Sequence, residues 1–378
     1  MNSLIRLTGD FQTARGSRPG PATLPAKGTV TAERISHIRK SLETVLSKWP
    51  KDAIIEDILV SVEYRQIVAK SNRIREMLNG GKDQEPELSI RGARYLDFNG
   101  NHPRHLMTHY VPKTTILSTI NNLRECERIV VDHFDGLMNA DKMVDLVKND
   151  KLKQKWNPAI SHTLTRSGFA QLIRDSYYVN EFRIEKPPAA TNENAIVTLF
   201  ETERDPQDVF EELHIDVPPA NLLENSVLLT ETEYRTLLER APYLVAMSVI
   251  DLSSYAPMND EGSTSPAISS LPEYPTDEPI IGVIDTPFEE KYPPYFSNWV
   301  EYISCLPKDI HPTSSDYRHG TCVSSLIVDV QAQNPSLDDH CGHFRVRHFG
   351  VATAGKFSSF AVMKHIERIV AENQDIKV

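Results

Sequence analysis

His319 sits in the stretch of this chain best suited to chemistry, Arg318-His319-Gly320-Thr321-Cys322-Val323, which runs on into the apolar Leu326-Ile327-Val328. The pattern places an imidazole at the mouth of a helix. Gly320 allows a tight approach of the backbone, Thr321 is suited to satisfying first-turn amides, and the apolar run gives the helix a face to bury. An imidazole held in that way is a natural general base. Upstream, Ile280-Ile281-Gly282-Val283-Ile284-Asp285-Thr286 is a short apolar run that ends in a carboxylate. A buried parallel strand of this kind would deliver Asp285 to the carboxyl edge of a sheet, where it could orient the histidine.

A carboxylate at a strand end followed by a histidine at a helix start is the first part of one triad order, Asp…His…Ser. On Val283-Ile284-Asp285-Thr286 and His319-Gly320-Thr321, residues 279–378 resemble the subtilisin-like serine peptidases, the subtilases. The resemblance implies catalytic roles for Asp285 and His319. Pro287 stands where that family usually has Gly, and Cys322 where it usually has a second His. No Ser box follows His319 before Val378. The expectation is therefore a serine-type endopeptidase of which residues 1–378 carry Asp and His but neither nucleophile nor oxyanion-hole Asn. The alternative is a pseudopeptidase or scaffold that binds peptides without cutting them. The resemblance also makes calcium a possible cofactor, but no ligand set for it stands out, and no other cofactor is expected.

Two other patterns compete with the triad reading. His319, Cys322, His340, Cys341 and His343 are all zinc-ligand types close in sequence. Cys341-Gly342-His343 is tighter than zinc spacings usually are, and His319 is already used by the triad reading, so no metal site is assigned. Gly262-Ser263-Thr264-Ser265-Pro266-Ala267 has the outline of a Ser box, but it precedes Asp285 and lies in linker-like sequence.

Composition sets the background. The 378 residues are 40% hydrophobic and 25% charged, with a net charge of −11, an ordinary globular balance with room for two or three domains. The negative charge argues against non-specific nucleic-acid binding, and no apolar run is long enough for a membrane span. The four cysteines, at 126, 305, 322 and 341, are scattered and suggest no disulfide framework. With no signal-like start after Met1, the expected compartment is cytoplasmic. The expected partner is a protein or peptide substrate.

The elements that must position the pair fall in order along the chain. Residues 1–28, rich in Gly, Pro and Arg, read as a disordered tail. Residues 29–185 read as an α/β domain of unassigned role: a helix over 31–46, a strand over 58–64, a short helix over 72–78, strands over 91–96 and 105–111, and a helix from Thr115. Its basic run Lys148–Lys155 reads as a solvated face, and Cys126 as a core thiol.

Residues 194–256 read as β-α-β-α-β, with Asp205-Pro206 and the capping box Thr230–Glu233 opening the helices and room for another strand near Pro218-Pro219. By resemblance this is a propeptide-like, ferredoxin-like module packed on the start of the peptidase sheet. Within the Pro-rich stretch 253–279, residues 257–278 are the linker. Residues 279–378 read as β-α-β-α-β, an incomplete subtilisin-like parallel sheet, with strands at 280–285, 344–347 and from 375, and a helix capped by Ser358 or Ser359.

Overall fold

Apolar side chains at helical spacing (Ile35, Ile38, Leu42 and Val45) are buried along one face of the first long helix. The computed structural model describes residues 22–82, 84–98, 101–148, 156–189, 193–250, 271, 273–291, 297–308, 310–329, 343–353 and 358–376. These form a mixed α/β protein that divides into two compact units. The first comprises Met1–Asn192 with Val197–Ser248, and the second Glu193–Ile196 with Val249–Val378.

The first unit begins with β1 (Thr29–Thr31), α1 (Ala32–Lys48) and β2 (Ile58–Tyr64). There follow β3 (Ile90–Phe98), β4 (Asn101–Val111), α2 (Lys113–Phe134), β5 (Leu137–Asn139), α3 (Ala140–Lys148), α4 (Arg166–Tyr178) and β6 (Val179–Arg183). The main sheet has the order β3-β4-β2-β6, and its pairs are antiparallel. Val60, Val62 and Tyr64 of β2 join α1, α2 and α4 in one apolar core. Cys126 lies in that core, and burial pushes its thiol up, as expected of an inert core cysteine.

Two expectations need correction here. The tail does not extend to residue 28, because Leu24 is buried against the core and Gly28 closes a turn onto the Pro25 carbonyl. Residues 1–21 lie outside the described residues, as do 149–155 of the basic run. The helix expected over 72–78 is also absent: only Lys70–Asn72 makes a single 3-10 turn. The amides of Arg75, Glu76 and Met77 instead all donate to Asp175 Oδ2, at 2.9, 2.8 and 3.1 Å. A carboxylate that takes three successive amides holds them in a nest that substitutes for a helical turn.

The next segment is built from β7 (Ala195–Leu199), α5 (Pro206–Glu212), β8 (Leu222–Leu223), β9 (Ser226–Leu229), α6 (Glu231–Arg240) and β10 (Val245–Ile250). The extra strand near Pro218-Pro219 is β8, a two-residue partner of β9. The order β10-β7-β9-β8 puts the first and last strands side by side, the split β-α-β arrangement. Asp205 caps α5 through the Gln207 amide, and Thr230 and Glu233 form the capping box of α6. Tyr243 of this segment packs its ring 4.9 Å from that of Trp49 and accepts the Ile54 amide at its hydroxyl, at 2.9 Å. Residues 197–248 thus share one unit with the N-terminal sheet.

The second unit contains β11 (Ile280–Asp285), β12 (Val300–Ser304), α7 (Tyr317–Val328), β13 (Arg345–Gly350) and α8 (Ser359–Glu372). β13 lies between β11 and β12 and pairs with both in parallel, so that His348 is opposite Val283 on one side and Tyr302 on the other. Val323, Ile327 and Val328 of α7 pack with Val346 on one face of the sheet, while Val362 and Ile369 of α8 pack with Phe349 on the other. β12 was not expected from the sequence. The strand expected from residue 375 is absent at 375–376, where Ile376 closes a turn onto the Asn373 carbonyl. Most of the linker, including residues 262–267, lies outside the described residues.

Candidate active site

Asp285 closes β11 and His319 lies in the first turn of α7. Their side chains meet: His319 Nδ1 is 2.7 Å from Asp285 Oδ1. The same carboxylate oxygen accepts the Thr286 amide at 2.6 Å, which fixes its direction. The carboxylate is mostly covered, with 16% of its side chain exposed, whereas the imidazole is 65% exposed. With Nδ1 donating to the carboxylate, the lone pair lies on Nε2, the nitrogen available for proton transfer.

The strand exit and the helix start are stitched together by short contacts. The Gly320 amide donates to Thr286 Oγ1 at 3.0 Å, and the Glu289 amide donates to Thr321 Oγ1 at 2.9 Å. Thr321 therefore does not cap its own helix as expected. The helix begins earlier, at Tyr317 after Asp316, which leaves the threonine hydroxyl to the strand-exit loop. Gly320 is buried, and a Cβ there would press into the Thr286 carbonyl oxygen, with His348 Cε1 and the Pro287 carbonyl oxygen each at 2.9 Å. Only a glycine admits this approach.

Beneath the pair lies a residue that the sequence reading did not single out. His348 has no exposed surface; its Nε2 is 2.7 Å from the Thr286 carbonyl oxygen and its Nδ1 2.8 Å from Ser324 Oγ. Burial holds this imidazole below its ordinary range, against the upward pull of its bond to Thr286 and of the Asp285 charge. No sequence signal marks it, since the strand expected over 344–347 stops one residue short of it.

The zinc-type residues are spread differently. Cys322 is exposed on α7, and His343 Nδ1 is 3.1 Å from the Val328 carbonyl while its ring packs edge-on to Trp299. His340 and Cys341 lie outside the described residues. Among the described residues, no three of His, Cys, Asp and Glu are grouped to hold a metal ion. No described helix is long and apolar enough to cross a membrane. In the first unit, a cavity of about 380 Å³ is lined by Glu56, Asp57, Arg91, Tyr110 and Glu203 among others. Burial, then the neighbouring Glu203 and Glu56, pushes the Asp57 carboxyl up.

Comparison with protein-family models, with curated proteins and with solved structures finds no match for this chain.

Proposed function

We propose that the second unit belongs to a subtilisin-like serine endopeptidase that cuts protein or peptide substrates, with Asp285 and His319 as two members of its triad. The observation that carries the reading is the 2.7 Å contact between His319 Nδ1 and Asp285 Oδ1, with the carboxylate covered and the imidazole open to solvent. A hydrogen bond to a solvent-exposed imidazole adds little to stability, so a carboxylate fixed by a backbone amide and aimed at such a ring is better explained by orientation for chemistry. The location fits too, since ligands of parallel α/β sheets bind beyond the carboxyl ends of the strands.

In this reading His319 Nε2 takes the proton of a serine hydroxyl as it attacks the peptide carbonyl, and then returns it to the leaving amine. Asp285 holds the reactive tautomer and stabilises the imidazolium formed between those steps. The reading requires a nucleophilic serine, which no Ser box between His319 and Val378 supplies, and it takes the sheet as the first part of a subtilisin-like one. Residues 194–256 are proposed to be a propeptide-like module, on the strength of their split β-α-β order just ahead of the catalytic Asp. Calcium is a possible cofactor by resemblance alone, without assigned ligands.

The test begins with the coding sequence past codon 378. A continuing frame with a Gly-Thr-Ser box should yield a product that cleaves casein and is labelled by a fluorophosphonate, whereas residues 1–378 alone are not labelled, because no activated serine oxygen is there to displace the fluoride from phosphorus. Asp285→Asn in the longer product should lower kcat by about four orders of magnitude, and His319→Ala should be as severe. Full activity after His319→Ala would overturn the assignment. A stop codon at that point with retained peptide binding would favour a non-catalytic scaffold.

A further inference from the structure

We infer that His348 is a positioning residue for the Asp285–His319 pair, a buried bridge that sets the strand exit against the helix start; the inference rests on the peptidase reading above. Three observations support it. His348 donates from Nε2 to the Thr286 carbonyl, one residue past the catalytic carboxylate, at 2.7 Å. It accepts at Nδ1 from the hydroxyl of Ser324, which lies on α7 five positions beyond His319, at 2.8 Å. Its ring also lies against the spot where Gly320 passes, since a Cβ on that glycine would come within 2.9 Å of His348 Cε1. One neutral imidazole thus touches both segments that carry the pair.

The same atoms form a serine–histidine–carbonyl series, which raises the question of a second nucleophile. Burial decides against it: Ser324 and His348 both have 0% exposed surface, so no substrate can reach the hydroxyl. The rings of Phe288 and Tyr302, with centroids 5.8 and 5.7 Å away, close over the imidazole. Two polar side chains kept dry and mutually satisfied in this way define geometry, because a shift of either segment would leave a buried polar group without its partner. An apolar residue would fill the same space without specifying where Thr286 lies relative to α7.

The readout is the His319 Nδ1 proton, observed by NMR as a low-field resonance in isotope-labelled residues 1–378 and assigned by its loss in Asp285→Asn. His348→Phe should abolish or broaden that resonance in a chain that keeps its native circular dichroism. His348→Gln, whose amide can still donate to the Thr286 carbonyl, should restore it. A folded His348→Phe protein with an unchanged resonance would overturn the inference. If that variant does not fold, Ser324→Ala gives the decision, since it removes one anchor of the bridge with little change of volume. A weakened signal there supports the role, and an unaltered one overturns it. The readout needs no hydrolysis, so the two readings can fail separately. A resonance that depends on His348, in a longer product that cuts nothing, would refute the peptidase alone; absence of the resonance in the unmodified chain would refute both.

Discussion

Gly320 shows how closely the two halves of the candidate site approach each other. In a helix interior, replacing Gly with Ala normally gains about 1 kcal/mol. Here the sign should reverse, because the new methyl meets the Thr286 and Pro287 carbonyls and the His348 ring, none of which is a flexible chain end. Gly320→Ala is expected to cost about 2 kcal/mol, typical of overpacking, measured by urea unfolding of residues 1–378. A stabilised variant would mean that the helix start and the strand exit are not in contact. At this scale the sequence was informative about Asp285 and His319, because a carboxylate ending an apolar run and a histidine before glycine are visible without a structure. It was not informative about His348. Polar residues alternate with apolar ones along most strands, and only the parallel pairing on both sides of β13 shows that position 348 faces inward.

Among the elements, those with strong periodicity were legible. β11 follows its apolar run, α1 and α8 their helical stripes, and α6 its capping box. β12 was hidden because its alternation is short: Val300 and Tyr302 face the core about an exposed Glu301, but Ile303 is an apolar residue on the exposed side. The segment 72–78 misled for a different reason. Ile74, Met77 and Leu78 are indeed buried at helical spacing, but a carboxylate distant in sequence takes the amides that a helix would have used. Asp175 is fully buried, and burial pushes its carboxyl up despite the three amides that pull it down. Asp175→Ala should leave those amides without their acceptor and cost about 3 kcal/mol or more, with Asp175→Asn, which keeps an acceptor oxygen, costing less. Equal unfolding midpoints for the two variants would show that the loop is not held by this side chain.

For the molecule as a whole, buried neutral histidines contribute to the response to acid. His109 in the first unit is held down to about 4, chiefly by burial, while its Nδ1 stays 3.0 Å from the Pro86 carbonyl. An unfolded histidine titrates near 6.5, so the stabilisation is fully present above that pH and is lost as pH falls toward about 4. The loss is on the order of 3 kcal/mol, and His109→Gln should flatten it, as read from urea midpoints at about pH 7 and about pH 4. His348, also held below its ordinary range by burial, gives the second unit the same direction of response. The strand order of that second unit has one more consequence, for the time at which its sheet can close. β11 and β12 do not pair with each other; each waits for β13, which is made last of the three. A nascent chain that has passed Asp285 and His319 but not yet reached Gly350 therefore lacks the central strand, and only the contacts of the strand exit with the helix start hold the two residues near each other.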